Sequence, residues 1–178
     1  MSRAVLSIGS NLGDRFAHLR SVVEALEPQL VAVSSVYSTP PWGGVPQENY
    51  LNAVLVVEDS ALGPRDWLER GQELEQRAGR VREIRWGART LDVDVVWCAV
   101  PRADGPHPVV STDPTLTLPH PQAHNRAFVL IPWLEIEPEA TLAVGGRVRP
   151  IRELLAELDL AEIDGVRATE LSLHATDR

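Results

Sequence analysis

The stretch that decides the fold is REIRWGARTLDVDVVW, residues 82–97. Its second half, LDVDVVW, reads as a β-strand of leucine, three valines and tryptophan in alternation. Two aspartates sit inside it, although aspartate is depleted in strands. Period two puts Thr90, Asp92, Asp94 and Val96 on one face. Leu91, Val93, Val95 and Trp97 then face the other way, toward a core. The two aspartate Cα atoms are about 6.6 Å apart in an extended strand. At that range two ionised carboxylates repel by roughly 2–3 kcal/mol at an effective dielectric near 20. A divalent cation reverses the sign, because Mg2+ is held through one or two carboxylates plus substrate phosphates. Two such ions about 4 Å apart match a carboxylate pair. A solvated strand face with two ordinary surface charges is the alternative.

Upstream, Arg80, Arg82, Arg85 and Arg89 are opposed by Glu83 alone. Such a loop either forms local salt bridges or supplies the arginine half of a phosphate site whose metal half is the carboxylates. Gly79 and Gly87 bracket it as hinges, and Trp86 is costly to expose. A lid that closes on substrate accounts for the glycines, the tryptophan and the arginines together.

Outward from this strand, residues 3–9 alternate and read as a first strand, followed by the turn GSNLGD with Asp14 as helix N-cap. Phe16, Leu19, Val23 and Leu26 fall at helical spacing up to Pro28. VAVSSVYS (31–38) and YLNAVLVVE (50–58) read as strands on either side of the loop TPPWGGVPQE. Pro64 opens a second helix, Leu68, Gly71, Leu74 and Ala78 give its buried stripe, and Gly79 ends it. The order β-α-β-β-α-β predicts an α+β fold of the ferredoxin-like kind. After Trp97 the chain reads as irregular and proline-rich to about residue 125. A short helix broken at Pro132 is expected over 126–136, and another over 149–159. Residues 1–160 are expected to form one domain with C-terminal helical additions, and 161–178 a tail without an assigned role.

The chain has 178 residues, 44% of them apolar, which suits one globular unit with a real core. No apolar run approaches a membrane span, and MSRAVLSIGSNLGDR lacks a signal-peptide pattern. With the lone Cys98, this predicts a cytoplasmic protein. The net charge of −8 argues against a nucleic-acid partner. All 17 basic residues are arginine. P-loop, Schiff-base and kinase-type lysines are therefore excluded, and phosphate falls to arginine, backbone N–H groups or metal.

Tyr50 and Asn52 share one strand face beside TPPW, residues 39–42. A ring beside an amide suits a flat heterocycle, with a core tyrosine and a turn asparagine as the plainer alternative. LPHPQAHNRAF (118–128) offers His120, His124, Arg126 and Phe128. The two histidines have the spacing of a helical metal pair, but no further ligands accompany them and Pro121 disturbs the helix start. SIGSNLGD lacks the G-K-[ST] ending of a phosphate loop and reads as a strand–helix turn.

RWGARTLDVDVV (85–96) closely resembles the signature of the 6-hydroxymethyl-7,8-dihydropterin pyrophosphokinases. IGSNLGDR, SSVYSTPPWG, QENYLNAV, ELEQRAGRVR and LPHPQAHNRAFVL fit the same family in order, from about residue 3 to about 158. The resemblance implies a ferredoxin-like fold and transfer of the β,γ-diphosphate of ATP to the pterin hydroxymethyl group, with release of AMP. It implies that Asp92 and Asp94 bind two Mg2+ ions, and that Tyr50 and Phe128 sandwich the pterin. Asn52 and the backbone around Thr39, Pro40 and Trp42 would read the pterin's edges. Arg80, Arg82 and Arg89 would contact the phosphates, Trp86 would close over the site, and Glu75, His120 and Arg126 would lie near ATP. Ala88 departs from the proline usual in the family. Neither a general base nor an oligomeric state follows from the sequence. Two other functions share parts of the pattern: a nucleotidyltransferase, which keeps AMP on its product, and a ferredoxin-like RNA-binding module, which the net charge and the aspartate pair oppose.

Overall fold

The computed structural model describes residues 1–41, 44, 46–79 and 89–174. In chain order its elements are β1 (Ser2–Ser10), α1 (Arg15–Leu26), β2 (Leu30–Val33), β3 (Tyr37–Thr39), β4 (Tyr50–Asp59), α2 (Pro64–Arg77) and β5 (Asp92–Arg102). There follow β6 (Gly105–Pro108), β7 (Ser111–Asp113), β8 (Leu116–Leu118), α3 (Ala127–Ile136), β9 (Thr141–Val144), β10 (Arg147–Pro150), α4 (Ile151–Ala156), α5 (Leu160–Asp164) and β11 (Arg167–Ala168). Asp14 caps α1 by accepting the Ala17 N–H at 3.1 Å, as its position predicts. Pro64 starts α2, and Gly79, at φ 72°, follows its end.

Among the described residues the main sheet runs β11-β3-β4-β1-β5-β6, with β2 also on β4 and every neighbour antiparallel. The fold is α+β, with the expected β-α-β-β-α-β core. One apolar cluster, with Leu6, Ile8, Leu19, Leu26, Leu55, Trp67 and Val93, packs α1 and α2 on one sheet face. A second, with Val5, Val54, Val96, Leu130, Trp133, Ile151 and Leu154, packs α3 and α4 on the other. Among the described residues no helix is long and apolar enough to cross a membrane.

Four local expectations are corrected. The strand foreseen over 31–38 is split into β2 and β3. Ser34 donates its N–H to the Val54 carbonyl at 3.0 Å, and its hydroxyl accepts the Val54 N–H at 2.9 Å, so a side chain replaces part of the ladder. The region after Trp97 is not irregular: β5 continues to Arg102 and turns at Gly105, φ 121°, into β6, while β7 and β8 form a second hairpin. Pro106 and Pro108 are tolerated because β6 is an edge strand. α3 runs through Pro132 unbroken, since burial of Val129, Leu130 and Trp133 around it offsets one missing backbone hydrogen bond. The helix expected over 149–159 starts only at Ile151, because Arg147–Pro150 pair with β9 across Gly145 and Gly146, both at positive φ.

A bulge in β5 matters most for the site. Leu6 pairs with Val95 but Val5 pairs with Trp97, so Val96 is an extra residue. Alternation changes phase there. Leu91, Val93, Val95 and Cys98 lie in the first cluster, whereas Val96 and Trp97 pack with the second. Trp97 therefore does not follow Val95 to the same face, as strict alternation would have it. The Val96 carbonyl accepts the His120 N–H at 2.8 Å.

Candidate active site

One row across the sheet lays the floor of the site. Tyr37 pairs with Asn52, Asn52 with Gly9, and Gly9 with Asp92. Residues directly opposite share a face, here the face covered by α3. Gly9 leaves a dip in that row, because a Cβ there would lie 2.6 Å from Asn52 Oδ1 and 3.3 Å from Tyr50 Cδ1. Asn52 and Asp92 stand two strand spacings apart across the dip, about 10 Å. The parallel row Val54–Ser7–Asp94 brings the second aspartate to the same face. Both aspartates are half-buried.

The aspartates are held from behind. Between them, the Val93 N–H donates to Glu75 Oε1 at 2.9 Å. Glu75 belongs to α2, in the opposite layer, and is only 7% exposed. It reaches β5 outside the stretch paired with β6 and fixes the backbone carrying the pair. Of the positions expected near ATP, Glu75 thus stands apart from His120 and Arg126.

His120 and Arg126 face the carboxylates from the segment before α3. The Val96 carbonyl holds the His120 backbone, and His120 Nδ1 accepts the Gln122 N–H at 3.1 Å. In the neutral ring the proton therefore sits on Nε2. Burial pushes the His120 pKa below its ordinary value; Asp94 opposes this and Arg126 adds to it. Burial also lowers the pKa of Arg126, against the pull of Asp94, Asp92 and Glu162. The Arg126 guanidinium lies 5.5 Å from the centroid of the Phe128 ring. The short turn at Ala123–Asn125 removes the helical spacing from His120 and His124.

On the other side of the dip, Asn52 is buried and donates through Nδ2 to the Thr39 hydroxyl at 2.5 Å. Tyr50, half-buried, starts β4 on the same face, and Pro40 is exposed. The structure thus brings Asp92, Asp94, His120, Arg126 and Phe128 together, and sets Thr39, Tyr50 and Asn52 across the dip. Trp42, Arg80, Arg82, Arg85, Trp86 and Ala88 lie outside the described residues. Arg89 is described, and its backbone is tied to Asn11.

Among the described residues no three His, Cys, Asp or Glu gather to hold an ion by themselves. Two carboxylates without a third protein ligand suit a hard cation whose coordination is completed by phosphate oxygens and water. Asn11, Gly9 and Glu162 were not foreseen as site residues. Asn11 and Gly9 lie in the quoted turn IGSNLGD, whose polar residue directly after a buried strand was the available signal.

Residues 5–138 match the model of the family 7,8-dihydro-6-hydroxymethylpterin-pyrophosphokinase (HPPK). The chain belongs to this family. It is 51% identical over 179 residues to the 2-amino-4-hydroxy-6-hydroxymethyldihydropteridine pyrophosphokinase of Mycobacterium tuberculosis, covering 100% of this chain and 95% of that one. The Mycobacterium leprae protein of the same name is 53% identical, over 97% and 92% of the two chains. That of Methylorubrum extorquens is 42% identical, over 93% and 99%. A crystal structure of wild-type Plasmodium falciparum HPPK-DHPS aligns with 88% of this chain at a TM-score of 0.60 and 14% identity. This chain spans 41% of that longer one, and the likeness shows the fold alone.

Proposed function

We propose that this HPPK-family enzyme transfers the β,γ-diphosphate of ATP to the hydroxymethyl group of 6-hydroxymethyl-7,8-dihydropterin, a step of folate biosynthesis, on the sheet face between Asp92 and Asn52. Family membership supports the reaction. The observation that carries the site is the row Asn52–Gly9–Asp92, a dip with an amide on one side and a carboxylate pair on the other.

In this reading Asp92 and Asp94 hold Mg2+, two ions being the number a carboxylate pair suits. Bound there, Mg2+ offsets the negative charge of the triphosphate. Arg89 and Arg126, with Arg80 and Arg82, contact the phosphate oxygens and favour the charge that spreads over them during transfer. His120 is neutral at pH 7, consistent with its lowered pKa, and offers an Nε2–H donor. Tyr50 and Phe128 hold the pterin ring, Asn52 and the backbone of Thr39, Pro40 and Trp42 read its edges, and Trp86 excludes water. The hydroxymethyl oxygen forms a bond to the β-phosphorus. The bond from that phosphorus to the bridging α,β-oxygen breaks, AMP leaves, and the hydroxyl proton passes to solvent. Catalysis here is positioning and charge stabilisation. Use of ATP and the free thiol of Cys98 support a cytoplasmic location.

Incubation with ATP, Mg2+ and the hydroxymethylpterin tests this. AMP and pterin diphosphate should form in equal amounts, and AMP should not form without the pterin. Release of pyrophosphate with AMP retained on the pterin would instead indicate nucleotidyl transfer. Salt-sensitive RNA binding without AMP release would indicate a binding module.

A further inference from the structure

The far end of the chain also reaches this site. After α4 the chain passes through α5 and adds β11 to the edge of β3, Arg167 opposite Ser38 and Ala168 opposite Tyr37. Thr169 bonds the Val36 carbonyl twice, through its N–H at 3.1 Å and its hydroxyl at 2.8 Å. Leu173 is buried in the first apolar cluster. The segment is thus fixed along its length to the strand that leads into Thr39 and Pro40.

Two of its residues touch elements of the site. Glu162 Oε1 accepts the N–H of Ala127, the first residue of α3, at 3.2 Å. A carboxylate there complements both the open N–H and the helix dipole. Ala127 lies between Arg126 and Phe128, and the Glu162 charge is one of the three that act on Arg126. Three residues on, a Cβ at Gly165 would lie 3.2 and 3.3 Å from ring carbons of Pro40. The backbone there is ordinary, at φ −67°, so the closeness concerns space and not strain.

We propose that Glu162 is a positioning residue of the site: from the anchored C-terminal segment its acceptor holds the first turn of α3 and its negative charge draws Arg126, and together these set Arg126 against Asp92 and Asp94. The inference rests on the function proposed above. It has a sign that separates it from a remote charge effect. A carboxylate that only added negative charge near the triphosphate would weaken ATP binding, so neutralising it would tighten binding. A carboxylate that orients Arg126 does the opposite.

The test compares the full chain with Glu162→Gln and Glu162→Ala by calorimetry with α,β-methylene ATP and Mg2+, steady-state kinetics and thermal melting. Glu162→Gln keeps an acceptor for Ala127, and its melting temperature should stay close to the parent's. Its affinity for the analogue should fall about fivefold, the size of one helix-terminal charge interaction, and KM for ATP should rise alongside. Glu162→Ala should show a larger loss. Unchanged or tighter analogue binding in Glu162→Gln overturns the proposal. So does its failure to fold, which would make Glu162 a structural cap only. A parent chain that binds no ATP analogue sinks the function itself, whereas a binding parent with unaffected variants sinks only the role of Glu162.

Discussion

Asn11 and Arg89 are bonded to each other in both directions across 78 positions of sequence. The Arg89 N–H donates to Asn11 Oδ1 at 2.7 Å, and the Asn11 N–H donates to the Arg89 carbonyl at 3.0 Å. The other arm of the same side chain donates to Gln47 Oε1 at 2.7 Å and to the Glu48 carbonyl at 3.0 Å. One amide, 2% exposed, therefore ties the turn after β1 to the approach to β4 and to the residue leading into β5. Asn11→Asp keeps the acceptor for Arg89 but turns the donor into an oxygen facing two other oxygens. Stability should fall by about 2–3 kcal/mol, and turnover should drop even where the protein remains folded. Thermal melting and AMP release at the same temperature check both.

Asp92→Asn and Asp94→Asn should each lower AMP release by about a hundredfold or more, with little change in melting temperature. Both side chains are half-buried and lie outside the two apolar clusters. Near-normal turnover in either variant at saturating Mg2+ would remove the metal assignment.

Gly9→Ala should close the dip. The new methyl would meet Asn52 Oδ1 at 2.6 Å, far inside contact distance, so Asn52 has to move. Asn52 is held by Thr39, so the shift passes to β3. Pterin affinity should fall at least tenfold with ATP affinity little changed, at a stability cost of about 1–3 kcal/mol. Calorimetry with each ligand separates the effects, and equal losses for both would point to general unfolding.

Cys98 should make the fold sensitive to alkali. Burial pushes its thiol up to about 11. The native state then keeps a proton that the unfolded chain loses near pH 9, so protons bound in the unfolded state are the fewer. Stability is fully present below that pH and falls as pH rises toward about 11, by on the order of 2 kcal/mol. Cys98→Val should flatten this part of the profile in a denaturation series. A parent profile no steeper than the variant's would show that the thiol does not carry the effect.

Much of this was legible in the sequence because it is written at short range. Period two set Asp92 and Asp94 on one face, Asp14 and Pro64 marked helix starts, and the order of elements gave the sheet. What escaped depends on partners far away in sequence. Ser34 breaks a strand by bonding β4 through its hydroxyl, and nothing in VAVSSVYS signals that. Trp97 changes face because β1 pairs past Val96. Glu75 turns out to hold a strand, and Glu162 to cap a helix 35 residues earlier, because tertiary packing brings their carboxylates to open N–H groups. A hairpin such as β9–β10 was within reach, since its Gly145–Gly146 turn is a local signal.

The extra residue at Val96 also constrains any attempt to move this chemistry to another scaffold. A grafted DVD triplet on a regular strand would reproduce the two carboxylates and their spacing. It would not reproduce the carbonyl that the bulge turns toward His120, nor the change of parity that sends Trp97 under α3. The smallest portable unit is therefore the strand together with its irregularity and the 118–128 segment docked on it. A designer who regularised β5 by deleting one residue would keep the acidic pair and lose the histidine beside it.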